Sequence, residues 1–135
     1  MAGYLLDTNH MGFCLNPASH LRERIHASHR SGNRFGTCVP VLCELAVFIS
    51  GSPKPEKGRR ILTDLLYYVK VWPLELPDSD EYAKIYFDLR RRGRIMSQVD
   101  MMVAALCRRM NVTLLTTDRD FEALPDLGTE NWVSP

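Results

Sequence analysis

The chain has 135 residues, of which 45% are hydrophobic and 24% are charged, and its formal net charge at pH 7 is +1. This length is sufficient to bury a hydrophobic core without disulfides or structural metals, and we expect a single domain over residues 1–135. The near-neutral charge excludes a nucleic-acid interface that covers most of the surface, so any such interface must be a local patch.

Cysteine spacing and hydropathy indicate the cellular compartment. The cysteines form no C-x-x-C pair and each lies in an apolar stretch, so neither a zinc site nor a disulfide framework is predicted. We expect buried free thiols at Cys14, Cys38, Cys43 and Cys107. No apolar run reaches the roughly 18 residues of a membrane span and no signal peptide is evident. We therefore expect a cytoplasmic protein without a membrane partner.

The first half of the chain predicts strands that alternate with helices. An apolar strand ends at Asp7, and Pro40 suits the first turn of a later helix. In order, the predicted elements are a strand over 3–6, a helix to about 15, a helix over 19–30, a strand over 34–39 and a helix over 40–49.

The second half continues the alternation after a loop rich in Gly and Pro at 51–55. The predicted elements are a helix through 61–66, a strand over 69–72, helices over 79–92 and 97–110, a strand over 112–117, a turn or short helix over 118–124 and an edge strand over 129–133. Such alternation predicts an α/β fold in which helices flank a mostly parallel sheet of about four to five short strands. Right-handed crossovers then bring all the carboxyl ends of the strands to one edge.

Four carboxylates are placed to meet at that edge, where open parallel sheets bind their ligands. Asp7 and Asp118 each follow a predicted strand, and predicted helices contribute Glu44 and Asp100. A cluster of partly buried carboxylates requires a cation to offset its charge. Mg²⁺ and Mn²⁺ suit a site made of oxygen ligands. The pattern therefore predicts a metal-dependent enzyme that acts on phosphates.

Each acid also has a simpler interpretation, and the residues alone leave these open. Asp7 and Asp118 can serve only as helix N-caps. Glu44 lies in an almost continuous apolar helix, where a carboxylate is costly unless it is paired, and this favours a functional role. Asp100 borders the apolar stripe of its helix, which also favours function. His10 either lines the pocket or is a polar residue at its margin.

A basic cluster just before the Asp100 helix offers a local surface for nucleic acid. It consists of Arg90, Arg91, Arg92 and Arg94. These side chains either hold a phosphate backbone or form a solvated helix end that favours the helix dipole. The nearby Tyr82 and Tyr86 are predicted as core residues rather than as platforms for stacked bases.

Four short motifs occur in a characteristic order along the chain. They are Leu5-Leu6-Asp7-Thr8-Asn9, Val41-Leu42-Cys43-Glu44-Leu45, Asp100-Met101-Met102-Val103-Ala104-Ala105 and Leu115-Thr116-Thr117-Asp118-Arg119-Asp120-Phe121, followed by a closing Glu130-Asn131-Trp132. Over essentially its whole length the chain resembles the PIN-domain ribonucleases, specifically the VapC-type toxins of prokaryotic toxin–antitoxin pairs.

The resemblance implies an endoribonuclease that hydrolyses RNA with a water activated by Mg²⁺, for which Mn²⁺ can substitute. Asp7, Glu44, Asp100 and Asp118 match the catalytic and metal-binding quartet of the family. Asn9 and Thr116 match its supporting polar residues, and Asp120 matches a less central acid. The chain departs from the family pattern at Gln98 and Val99, where many members carry a further acid and an Asn.

The resemblance also implies partners. These are an RNA substrate, a cognate VapB-like antitoxin that blocks the acidic groove, a second copy of the chain in a homodimer, and operator DNA contacted only through the antitoxin. Apolar residues near Phe13, Leu21, Ile25 and Phe48 can serve these protein partners or form core. The alternatives are a catalytically idle PIN interaction module and a haloacid-dehalogenase-like phosphatase. The phosphatase is disfavoured because Asn9 stands where its second Asp is needed.

Overall fold

The computed structural model describes residues 1–133, in which five parallel strands form one sheet between helices. In chain order the elements are β1 Gly3–Leu6, α1 Thr8–Leu15, α2 Leu21–Arg30, β2 Arg34–Thr37, α3 Val39–Ser50, α4 Pro55–Leu65, β3 Val69–Val71, α5 Leu76–Arg91, α6 Gln98–Met110, β4 Thr113–Leu115, a 3₁₀ helix Arg119–Ala123, and β5 Thr129–Glu130. The predicted α/β class and parallel sheet are confirmed.

The strand order β3-β2-β1-β4-β5 puts β1 at the centre of the sheet. The chain first builds outward from β1 through β2 to β3, and then crosses to the other side of β1 for β4 and β5. The direction of winding therefore changes between β1 and β4, which is where open parallel sheets bind ligands. Leu6 pairs with Leu115 in the register, so the residues that follow these two strands leave the sheet side by side.

The core lies on both faces of this sheet. The alternating side chains of β1 and β4 are buried in both directions, as the fully buried Leu5, Leu6, Leu114 and Leu115 show. Helix α6 adds a buried run from Val103 to Cys107 and packs along α5. This packing fixes α6 against the sheet and so places its first turn beside the carboxyl ends of β1 and β4. Within residues 1–133 no helix is both long and apolar enough to span a bilayer.

Several predicted boundaries differ from those in the structure. The second strand ends at Thr37 rather than at residue 39, because Cys38 is the N-cap of α3 and Val39 is already helical. Helix α5 begins at Leu76 rather than at residue 79, because Glu75 and Asp78 form a capping box. The strands predicted over 112–117 and 129–133 are also shorter, since only Thr113–Leu115 and Thr129–Glu130 pair in the sheet.

The burial of two individual side chains, Cys43 and Tyr86, also departs from expectation. Cys43 is exposed rather than buried, because it points away from the buried stripe of α3 formed by Val41, Leu45 and Ile49. Tyr86 is 39% exposed, whereas Tyr82 packs against the core as predicted. Leu21 and Ile25 are core residues and are therefore not part of a surface for a protein partner. By contrast, Phe13 and Phe48 are 39% and 67% exposed and remain available to a partner.

Candidate active site

Asp7 is held rigidly at the end of β1. Its Oδ1 accepts the backbone N–H of His10 at 2.9 Å, which makes it the N-cap of α1. Its Oδ2 accepts the hydroxyl of Thr116 at 2.5 Å, and its own backbone N–H donates to the Leu115 carbonyl at 3.2 Å. The carboxylate is only 6% exposed. Asp7 is thus an N-cap, as the simpler interpretation expected, and its second oxygen faces the end of β4.

Thr116 connects the two strand ends through a single hydroxyl. While it donates to Asp7, its Oγ1 accepts the backbone N–H of Asp118 at 2.9 Å. Asp118 is half-buried and caps the 3₁₀ helix, since its Oδ1 accepts the Asp120 N–H at 2.8 Å. The structure therefore places Asp7 and Asp118 side by side, as expected for residues that leave neighbouring parallel strands.

Glu44 reaches the same edge from α3, but not for the reason that its sequence context suggested. The side chain is exposed rather than buried, because it lies outside the buried stripe of α3 formed by Val41, Leu45 and Ile49. One carboxylate oxygen, Oε1, accepts the hydroxyl of Thr8 at 2.6 Å. Since Thr8 follows Asp7 directly, this hydrogen bond ties Glu44 to the end of β1.

Asp100 completes the cluster from the first turn of α6. Its backbone N–H donates to the Ser97 hydroxyl at 3.1 Å, so that Ser97 is the N-cap of the helix. Partial burial first, and then the charges of Asp118, Glu44 and Asp7, raise the pKa of Asp100 to about 6, although the hydrogen bond from Ser97 lowers it. The four carboxylates therefore act on one another as a single region of negative potential.

The remaining predicted polar residues lie around this cluster. Asn9 is exposed, and its amide donates to the Thr117 hydroxyl at 3.4 Å. Asp120 is also exposed, and its backbone rather than its carboxylate makes the contact with Asp118. Asn9 thus braces the two strand ends, while Asp120 stands at the solvent-facing margin of the site.

The four carboxylates do not form a compact set of direct metal ligands within residues 1–133. In the part of the chain that the structure describes, no group of three or more His, Cys, Asp or Glu side chains is close enough to hold a metal ion directly. Mg²⁺ retains several waters and needs only one or two direct carboxylates. The pKa of Asp100 is raised by burial first and by the neighbouring carboxylates second, and a cation would offset both effects.

The four basic residues near α6 are exposed but differ in their partners. Arg91 and Arg92 both pair with Asp88, and Arg92 also donates to the Ala123 carbonyl. Within the described residues 1–133, Arg90 donates to the hydroxyl of Tyr86 at 3.0 Å and forms no ion pair. Arg94 has no side-chain partner among residues 1–133. The guanidinium groups of Arg90 and Arg94 are therefore the ones available to an incoming phosphate.

An open apolar cavity of about 500 Å³ lies between α1 and α3 beside the cluster. Its lining includes Thr8 and Asn9 at one end and Phe13, Leu45 and Phe48 along its length. The cavity therefore runs from the acidic site onto the exposed aromatic face.

Sequence reasoning missed Thr8 and Ser97 and left the role of His10 open. Thr8 holds Glu44, Ser97 caps the helix of Asp100, and His10 is fully buried against Asp7. Ser97 was detectable, since a Ser three residues before an acid is a typical N-cap pattern. The contacts of Thr8 and His10 with distant residues leave no local signal. The interpretation of His10 as a residue at the margin is wrong.

Comparisons with known proteins agree with this architecture. The family model described as PIN domain matches residues 4–127. A relative from Rickettsia felis named Ribonuclease VapC2 is 26% identical over 96% of this chain and 97% of its own length. Another, from Shigella flexneri and named tRNA(fMet)-specific endonuclease VapC, is 26% identical over 98% of this chain and 99% of its own.

A solved structure extends the likeness to the fold. The crystal structure of VapBC2 from Rickettsia felis, bound to a DNA fragment from their promoter, contains a chain that matches with a TM-score of 0.87. The identity is 24%, and the alignment covers 96% of this chain and 98% of the other.

Proposed function

This chain belongs to the PIN-domain family, whose model spans residues 4–127, and on that premise we propose that it is a Mg²⁺-dependent endoribonuclease toxin of the VapC type. The names of the Rickettsia felis and Shigella flexneri relatives, a ribonuclease and a tRNA-specific endonuclease, support RNA as the substrate. In this proposal residues 1–135 form one PIN domain that acts in the cytoplasm.

The observation that carries the proposal is the convergence of four carboxylates at one edge of the sheet, where Thr116 joins Asp7 to Asp118 and Thr8 joins Glu44 to the end of β1. Burial and three neighbouring carboxylates oppose ionisation of Asp100, which is costly unless a cation occupies the site. We assign direct metal ligation to Asp7 and Asp100, with Glu44 and Asp118 completing the negative pocket. When bound, Mg²⁺ supplies charge neutralisation for the phosphate and lowers the pKa of a coordinated water; Mn²⁺ would substitute.

The chain's own residues orient the reacting groups. Thr116 holds Asp7 and Asp118 at a fixed separation through its single hydroxyl, and Thr8 restrains the exposed Glu44. Asn9 braces the two strand ends, and Asp120 adds negative charge at the margin. Asp7 is almost inaccessible to solvent, whereas Glu44 and Asp118 are more accessible, and in this proposal the attacking water approaches from their side.

RNA would approach this acidic site along a path with available cations. In the proposal Arg90 and Arg94 contact backbone phosphates, which attract Arg side chains irrespective of base sequence. Arg91 and Arg92 are engaged by Asp88 and would contribute mainly long-range attraction.

Protein partners form the second part of the proposal. The Rickettsia felis structure is a VapBC2 assembly on promoter DNA, which supports a VapB-like antitoxin as the cognate partner of this chain. Operator DNA would be contacted through that antitoxin. The exposed Phe13 and Phe48, on either side of the apolar cavity, offer a surface for the antitoxin, and the toxin itself would form a homodimer.

The direct test is cleavage of total bacterial RNA by purified protein free of antitoxin, with Mg²⁺ or Mn²⁺ and with EDTA. Asp7→Asn and Asp100→Asn remove one carboxylate charge each from the cluster. Asp80→Asn is the matched control, because Asp80 is exposed on α5 outside the site. We expect discrete fragments that require metal, persist with the control and disappear with both site variants.

Two outcomes would contradict the proposal. Cleavage that survives in Asp7→Asn and Asp100→Asn would assign the activity to a contaminating ribonuclease. Absence of cleavage by folded, antitoxin-free protein at any metal concentration would favour an idle interaction module.

A further inference from the structure

His10 is a buried histidine whose two ring nitrogens face different parts of the molecule. The residue is fully buried on the first turn of α1. Its Nε2 accepts the backbone N–H of Trp132 at 3.2 Å. Its Nδ1 lies 3.6 Å from Oδ1 of Asp7 and has no hydrogen-bond partner within ordinary range. One imidazole therefore spans the gap between residue 132 and the carboxylate at the end of β1.

These contacts dictate which nitrogen of the neutral ring carries the proton. A backbone N–H can only donate, so Nε2 must present its lone pair to Trp132. A neutral imidazole has one donor and one acceptor nitrogen, and the proton is therefore on Nδ1, directed at Asp7. The opposite tautomer would set two N–H groups against each other at Trp132 and turn a lone pair towards a carboxylate.

We propose that His10 is a positioning residue for Asp7, and that the backbone N–H of Trp132 selects its Nδ1–H tautomer. The Nδ1–H faces Oδ1 at 3.6 Å, an electrostatic contact longer than a hydrogen bond, while the His10 backbone N–H donates to the same oxygen and Thr116 holds Oδ2. The part of the inference that concerns metal binding rests on the proposed function. The tautomer does not, because it follows from the hydrogen bonding alone.

The Trp132 backbone N–H that donates to His10 is held in place by the packing of the Trp132 side chain. The indole packs against Tyr4 and Phe35, with ring centroids 5.0 and 5.7 Å apart. The guanidinium carbon of Arg24 lies 4.0 Å from the indole centroid, and the indole N–H donates to Glu130 at 2.9 Å. A segment anchored on β1, β2 and α2 therefore sets the orientation of a ring that contacts the metal-ligand candidate Asp7.

Partners behind a metal ligand commonly orient it, and their loss typically reduces metal affinity or activity about 10- to 100-fold. His10 corresponds to such a partner for Asp7. In the usual arrangement a histidine binds the metal and a carboxylate orients the histidine. Here the roles are exchanged, because the carboxylate of Asp7 is the proposed ligand and His10 lies behind it. An ionised carboxylate has about four lone-pair positions, so the two hydrogen bonds that Asp7 accepts leave lone pairs on both of its oxygens for a metal.

The first experiment determines the tautomer by ¹H–¹⁵N NMR of the histidine rings in metal-free wild-type protein. The His10→Asn spectrum assigns the His10 signals by their disappearance. We expect the pattern of a neutral ring with Nδ1 protonated and Nε2 unprotonated. In Trp132→Pro, which lacks the backbone N–H, we expect the tautomers to mix. In the matched Trp132→Ala, which keeps that N–H but loses the indole, Nδ1–H should still predominate.

The second experiment separates the two contacts of His10 by substitution. His10→Asn retains an N–H group near the Nδ1 position, whereas His10→Gln retains an acceptor near the Nε2 position. Mn²⁺ binding is measured by electron paramagnetic resonance, alongside RNA cleavage. We expect His10→Asn to stay within about threefold of the wild type and His10→Gln to bind Mn²⁺ about 10- to 100-fold more weakly, with an unchanged KM for RNA.

The outcomes distinguish this inference from the proposed function. An Nε2–H tautomer in the wild type, or His10→Gln that binds Mn²⁺ as the wild type does, would overturn the role of His10 even if RNA is cleaved. Absence of Mn²⁺ binding and of cleavage in the wild type would instead refute the proposed function and, with it, the metal-positioning role. The tautomer assignment would then stand or fall on the NMR result alone.

Discussion

At the scale of single residues, Asp100 shows how the site works against the stability of the fold. Its pKa rises from an ordinary 3.8 to about 6 on folding, because of burial and then the neighbouring carboxylates. The folded state thus binds this proton more tightly than the unfolded chain, so stability falls as the pH rises from about 4 through 6. At neutral pH, above this pKa, the Asp100 carboxylate is ionised and its charge is not offset in the metal-free protein.

We therefore predict that Asp100→Asn stabilises the metal-free protein at pH 7.5. The gain should be about 1 kcal/mol, which discounts the shift for the partial exposure of this side chain, and it should shrink towards pH 4. Urea denaturation in EDTA at both pH values measures it. Mg²⁺ should stabilise the wild type more than the variant. A variant that is less stable than the wild type at pH 7.5 would contradict this account.

Thr116 carries a second prediction at this scale, because one hydroxyl serves two acids. Thr116→Val removes the donor to Asp7 and leaves the Asp118 N–H without its acceptor. We expect a loss of about 1–3 kcal/mol in the free energy of unfolding and at least a tenfold loss of RNA cleavage. Thr116→Ser keeps the hydroxyl and should retain most of both. Denaturation and cleavage assays measure both effects. If Thr116→Ser and Thr116→Val gave equal losses, the hydroxyl would have no role and the prediction would be wrong.

At the scale of elements, the end of α5 divides its arginines by function. Arg91 and Arg92 are engaged by Asp88, whereas Arg90 and Arg94 are available. In an Asp7→Asn background, Arg90→Gln with Arg94→Gln should weaken RNA binding and reduce the salt dependence of log K by about 0.7 for each phosphate that is no longer neutralised. Arg91→Gln with Arg92→Gln is the matched pair. Equal effects in fluorescence titrations over a salt series would mean that only net charge matters.

Helix boundaries in this chain follow from local chemistry, and the prediction failed where a local signal was overlooked. The capping box of Glu75 and Asp78 starts α5 three residues before the predicted position. Helix α6 was predicted closely from its apolar periodicity, and in the structure Ser97 caps it and Asn111 ends it in the left-handed conformation, with φ of 53°. The cap residues therefore carry boundary information that periodicity alone does not supply.

At the scale of the whole molecule, the parallel sheet collects residues from distant parts of the chain. Asp7 and Asp118 are 111 positions apart in the sequence, yet they leave adjacent strands whose register pairs Leu6 with Leu115. Helices α3 and α6 then bring Glu44 and Asp100 to the same edge. The change of winding direction between β1 and β4 creates this meeting point, and no single element could do so.

Assembly is also a property of the whole molecule, and the exposed face of α3 provides the test. Phe48→Glu should weaken association with a co-expressed VapB-like antitoxin at least tenfold, because a charge would enter the apolar cavity. It should not unfold the protein, since Phe48 is 67% exposed. Phe87→Glu on α5 is the control, with 56% exposure. Co-purification and calorimetry measure the effect, and equal losses from both variants would refute a specific surface.

The sequence by itself determined the α/β class, the parallel sheet and the approach of Asp7 to Asp118. These features follow from short-range patterns: apolar strands that end in acids, separated by helices, admit few other topologies. The placement of Glu44 was reached from a wrong premise, since the side chain is exposed. An apolar neighbourhood in sequence does not establish burial, because the side of a helix that faces the core depends on what packs against it.

Only the tertiary structure decided how the acids are held. The hydroxyl of Thr116 shared between Asp7 and Asp118, the bond from Thr8 to Glu44 and the contact of Trp132 with His10 join residues between 2 and 122 positions apart. Most of these contacts connect separate elements, so no local pattern encodes them. They depend on side-chain directions that arise when strands, helices and the closing segment pack together, and those directions set the geometry of the site.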